Sequence, residues 1–112
     1  MKDFDERYDA VVKRFGISRK YAGYYTLKEA VRIVLAKPDS LLLVTKWLYP
    51  EVAKKLDCSL HSVERNLRTV SRVAFANNKK LLQQITGYSV TGFLTAAHFV
   101  DVIAQACEKL VL

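Results

Sequence analysis

The 112 residues include only two cysteines, Cys58 and Cys107, which lie far apart with no CxxC spacing and no clustered His/Cys pair. A disulfide framework and a thiolate zinc site are therefore not expected, and both thiols read as buried and reduced. No apolar run approaches the roughly 18 residues that a membrane-spanning helix needs, and no signal peptide opens the chain. A soluble, cytoplasmic protein without a membrane partner is expected. Catalytic constellations are missing as well. The carboxylates are scattered over helical faces, His98 has no second histidine or cysteine nearby in sequence, and no glycine loop suits a phosphate. The reading is a non-enzyme with no metal and no cofactor. No stretch alternates with period two for long enough to argue a sheet. The expected fold class is all-α, about six to seven helices in one domain over residues 1–112.

Acidic residues are also in short supply. Eighteen Lys and Arg face eleven Asp and Glu, a net charge of +7 that favours an anionic partner. The excess is localised. Residues 46–80 carry eight Lys or Arg against Glu51, Asp57 and Glu64, a balance of +5, whereas residues 81–112 hold Lys109 against Asp101 and Glu108. With 51% apolar residues, the chain has the means to bury a core without staples.

Helical periodicity accounts for most of the chain. Asp3 to Phe15 places Phe4, Tyr8, Val11, Val12 and Phe15 on one stripe and stops at Gly16. Ile17 to Tyr25 reads as a connector, after which Thr26-x-x-Glu29 has the form of a capping box opening a helix that Pro38 ends. Asp39 or Ser40 then caps an apolar segment, Leu41 to Leu48, expected to be the central strut of the core with Trp47 as a packing anchor. Asn78 to Thr86 forms a short helix stopped by Gly87. A loop follows to Leu94, and Thr95 to about Leu110 closes the chain with Phe99, Ile103, Ala106 and Leu110 on one face.

Tyr49 to Phe75 is the functional stretch. Pro50 to Leu56 reads as a helix with proline at a tolerated first-turn position, and Ser59 as the N-cap of a second helix running to about Asn77. Ala53 is small enough for a close crossing, and Leu56, Cys58, Val63 and Leu67 are placed to seal it. The turn needs a residue that accepts positive φ, and Asp57 stands there. Val63, Leu67, Val70 and Ala74 share the inner face; Glu64, Arg65, Arg68 and Arg72 project from the other side. This register suits a DNA-binding helix-turn-helix. An ordinary αα-hairpin with a solvated charged face shares much of the pattern.

The segments GYYTLKEAV (23–31), TKWLYPEVAKKL (45–56), SVERNLR (62–68), GYSV (87–90) and EKL (108–110) resemble the DNA-binding effector domain of the stage-zero sporulation protein A family, the sporulation initiation response regulators. The likeness covers residues 23–112, leaving residues 1–22 as an N-terminal helix and connector. It implies an all-helical domain that binds double-stranded DNA and regulates transcription. It also implies that Glu64, Arg65 and Arg68 lie in or along the major groove, with Arg65 suited to guanine O6 and N7 and Glu64 to cytosine N4 or to orienting Arg65. Arg68, Lys54 and Lys55 then suit phosphates, with Ser59 and His61 adding polar contacts at the helix start.

Ser62 and Thr69 stand where the family usually carries arginine and histidine, Arg72 replaces an acid, and the loop after Tyr88 is shorter and lacks the family's lysines. The segment ahead of the likeness is too short for a receiver, so phosphorylation control within this chain is not expected. Sequence-specific transcriptional regulation, with two copies pairing on adjacent half-sites, is the leading expectation. The alternative is an interaction protein that modulates RNA polymerase or a full-length homologue.

Overall fold

The computed structural model describes residues 3–109. Helix α1, Phe4–Arg14, starts where the Asp3 carboxylate accepts a hydrogen bond from the Glu6 N–H at 2.9 Å. Acids in its first turn and Lys13 and Arg14 in its last turn complement the helix dipole. Tyr8, Val11 and Val12 are buried, as the stripe predicts. The chain leaves α1 through Gly16 at φ 73, and any β-carbon there would overlap the Asn77 side chain. Asn77 and Asn78 donate to the carbonyls of Phe15 and Arg14, each at 3.0 Å, so a distant helix satisfies the orphan acceptors at the end of α1.

Helix α2, Ala22–Ala36, begins earlier than the sequence suggests. Thr26 is not a cap. It lies inside the helix, 2% exposed, with its hydroxyl turned back to the Ala22 carbonyl at 3.2 Å. The capping-box pattern is overridden by tertiary packing, because Gly23 lies against the next long helix but one. A β-carbon at Gly23 would overlap the Val70 side chain and come within 2.6 Å of the Asn66 carbonyl oxygen. The missing side chain lets two backbones approach, and helix winds through the glycine to exploit it.

After Lys37 the chain makes a 3₁₀ turn, Pro38–Leu41, and a short π-helical turn, Val44–Leu48. This segment is not the central strut. Only Ser40 and Leu48 are buried in these two turns, while Leu42, Leu43 and Trp47 are 74, 47 and 45% exposed. Its apolar composition gave no sign of which way the side chains would face. The central positions go instead to α2 and to the final helix, α5 (Ala96–Lys109), whose Phe99, Ile103 and Ala106 are buried as expected and are joined by Val100, Val102, Ala104 and Cys107. Leu110 lies outside the described residues. Phe15 meets Phe99 edge-on with centroids 6.4 Å apart, and the Tyr8 hydroxyl donates to the Tyr24 carbonyl at 2.6 Å.

Between them run α3, Tyr49–Leu56, and α4, Leu60–Thr86. Helix α4 is kinked at Asn78, whose φ of −152° and ψ of 62° are not helical. The Asn78 side chain caps the second half by accepting from the Leu81 N–H at 3.1 Å, and Gly87 ends it at φ 81. The described residues thus hold five α-helices and no strand, where six to seven helices were expected. The class is all-α.

Candidate nucleic-acid interface

The geometry of the site starts at the end of α3. Asp57 adopts a left-handed conformation, φ 52 and ψ 54, the one non-glycine positive φ among the described residues. The Cys58 N–H returns to the Ala53 carbonyl at 3.0 Å and the Asp57 N–H to the Lys54 carbonyl at 3.4 Å. These are the two bonds of a Schellman closure, with aspartate in the place usually held by glycine. Two residues later Ser59 caps α4: its hydroxyl accepts from the Ser62 N–H at 3.0 Å, and its carbonyl from the Val63 N–H at 3.1 Å. A stop and a start in such quick succession set the angle between α3 and α4.

Below the turn, Val52, Val63, Leu67, Val70 and Ala74 are fully buried and Ala53 nearly so, which holds the inner face of α4 on the core. Two expected seals are not seals. Leu56 is 36% exposed and Cys58 is a free, exposed thiol, because the left-handed turn carries both outward. Cys107 is buried, and desolvation pushes its thiol pKa up to about 12.

On the outer face, His61, Arg65, Arg68 and Arg72 recur at spacings of four, three and four, one stripe of the helix. His61, Arg65 and Arg72 are exposed and Arg68 is half-buried. Among the described residues no hydrogen bond or ion pair occupies the Arg65 guanidinium. Glu64 reaches one turn on and binds Arg68, Nη2 to Oε1 at 2.5 Å. The expectation that Glu64 orients Arg65 is therefore replaced: Glu64 orients Arg68, four residues along the same helix. Beneath this pair lies Tyr49, whose hydroxyl is held above its ordinary pKa by burial and by the Glu64 charge.

Arg72 lies over the Phe93 ring, 4.7 Å from its centroid. Glu64, Arg68 and Arg72 thus line one side of a groove of about 510 Å³, completed by Thr45, Tyr49 and Phe93 and by the first turn of α5. Thr45, Tyr49 and Phe93 escaped the sequence reading, since no spacing rule links them to α4. An exposed aromatic in a loop, as at Phe93, was the one available cue. Lys54 and Lys55 are exposed in the last turn of α3. Two polar positions are used internally. The Ser59 hydroxyl donates to the Ser62 hydroxyl at 3.0 Å, and the Thr69 hydroxyl to the Arg65 carbonyl at 3.0 Å.

None of the described helices is long and apolar enough to cross a membrane. The family model described as sporulation initiation factor Spo0A C terminal matches residues 9–110. That family is a DNA-binding effector domain used in transcription regulation.

Proposed function

Because the chain belongs to the Spo0A C-terminal family, we propose that it is a sequence-specific, cytoplasmic DNA-binding regulator in which α3, the Asp57 turn and α4 act as a helix-turn-helix. The observation that carries this reading is the stripe His61, Arg65, Arg68 and Arg72 on the outer face of a helix whose inner face is locked in the core. Such a helix can enter a major groove without cost to the fold.

Each side chain has a role. Arg65, unencumbered, takes guanine O6 and N7 in bidentate fashion. Arg68, held by Glu64, and Arg72, seated on Phe93, present guanidinium groups to phosphate with little left to order on binding. Glu64 retains a lone pair for cytosine N4. Lys54 and Lys55 meet backbone phosphates from α3, and Ser59, His61 and Ser62 lie at the entering end of α4. Two copies on adjacent half-sites supply the contact area that one small module lacks. A gel shift with the family's target duplex tests the proposal, and failure to shift any duplex at low salt removes it.

Ser62 and Thr69 in place of the family's arginine and histidine, with the Thr69 hydroxyl turned inward to the Arg65 carbonyl, favour a second reading. In it the chain modulates a full-length homologue or RNA polymerase rather than reading DNA itself. No shift alone, but altered shift by the full-length homologue in a mixture, selects that alternative.

A further inference from the structure

Leu60, 49% exposed, is the one large apolar side chain of α4 left in solvent; the others are buried or half-buried. Val63, Leu67, Val70 and Ala74 fill the inner face without it, so the core makes no use of Leu60. Neither does the cap, since Ser59 closes the start of α4 with its own hydroxyl and carbonyl. Leu60 is the first residue of the helix. Side chains of an α-helix lean toward its N-terminus, so at this position the isobutyl group stands off the leading end, ahead of the first turn. Glu64 and Arg68 follow it at spacings of four, along the same edge of α4.

We propose that Leu60 reads a thymine through apolar contact with its C5-methyl group, a role that rests on the entry of α4 into the major groove. Recognition helices present their N-terminal residues to base edges. Leucine has no donor or acceptor to offer there. Against guanine, adenine or cytosine it would cover polar atoms without replacing their hydrogen bonds to water, which disfavours those bases. Thymine alone of the four carries an apolar group in the major groove. A phosphate is excluded as the target for the same reason as a polar base edge. The five residues from Leu60 to Arg65 rise about 7.5 Å along the helix, and base pairs lie about 3.4 Å apart. The thymine therefore falls within about three base pairs of the guanine assigned to Arg65. Leu60 adds methyl readout to the hydrogen-bond readout of the cationic stripe, at a position the stripe leaves open.

The motif that the full chain selects from a randomised duplex pool supplies the probe. Each thymine in it is replaced in turn by deoxyuridine, which deletes the methyl group and keeps every hydrogen-bonding atom. At one position the parent should bind roughly fourfold more weakly, the worth of about one buried methyl group. Leu60→Ala should lose a similar factor against the thymine duplex and be indifferent to the exchange at that position. Alanine is the better helix former and the site is exposed, so circular dichroism should show this variant folded. The proposal is overturned by a motif with no thymine within that distance, or by a parent that responds to no deoxyuridine. It is equally overturned by a Leu60→Ala that binds like the parent or responds to the exchange as the parent does. In each of these cases the motif itself stands, and the DNA reading with it. A chain that enriches no motif removes the DNA reading, and this proposal falls with it.

Discussion

Replacing Gly23 by alanine should destabilise the protein although alanine is the better helix former. In α2 the exchange brings a propensity gain of about 1 kcal/mol. Against it stands the crossing with α4. The new methyl would overlap the Val70 side chain and lie 2.6 Å from the Asn66 carbonyl oxygen. Val70 can turn aside only into a filled core. The carbonyl belongs to helical backbone and cannot turn at all, so α4 must move outward. Overpacking of this kind costs about 1–3 kcal/mol, and a backbone obstacle places it near the upper end. The net loss is about 2 kcal/mol, or a fall in Tm of roughly 10 °C for a chain of this length. Thermal unfolding followed at 222 nm, with urea titration as a second measure, reads it directly. Unchanged or raised stability would mean that α2 and α4 do not cross this closely, and the placement of α4 argued above would fail with it. DNA affinity of the folded fraction should fall as well, since α3 and α4 would no longer meet at the angle set by the Asp57 turn.

Lys54→Ala should weaken binding to target and random duplex alike and flatten the dependence of log K on log salt by about one unit, as loss of one phosphate contact requires; an unchanged slope would move Lys54 out of the interface. Ser59→Ala removes the N-cap of α4 and should cost about 1 kcal/mol in urea unfolding, so an unaffected midpoint would deny the cap its part. Cys107 gives a pH prediction. Its thiol is raised to about 12 in the folded protein and ionises near 9 when unfolded, so the folded state holds the proton more tightly. The stabilisation is complete below about 9 and is lost as pH rises toward 12, with a slope of up to about 1.4 kcal/mol per pH unit from this group. Cys107→Ala should make the unfolding midpoint less steeply dependent on alkaline pH, and a curve of unchanged slope would contradict that.

Local signals were the legible ones. The Gly16 and Gly87 stops, the Asp57 turn, the Ser59 cap and the inner face of α4 each depend on a few neighbouring residues, and each is where periodicity and capping chemistry put it. Failures occur where a distant contact decides. Thr26 looks like a cap until Gly23 is seen pressed against α4. Leu41 to Leu48 looks like core by composition, but the core was already closed by α2 and α5, leaving Leu42, Leu43 and Trp47 in water. In the site, sequence marks the cations of α4 but not what holds them. The Glu64–Arg68 pair obeys helical spacing, yet the reading offered Glu64 only cytosine N4 or Arg65, while the Phe93 ring under Arg72 joins residues 21 apart, beyond any local rule.

The most direct test of DNA reading by α4 is selection from a randomised duplex pool, run in parallel with the parent and with Arg65→Ala, followed by sequencing of the bound fractions. A motif containing guanine should emerge for the parent. The variant should keep the rest of that motif, lose preference at one position, and bind the parental optimum about 1–3 kcal/mol more weakly. The same motif and affinity from both proteins would show that Arg65 does not face the bases, and no enrichment by the parent would show that α4 does not read DNA.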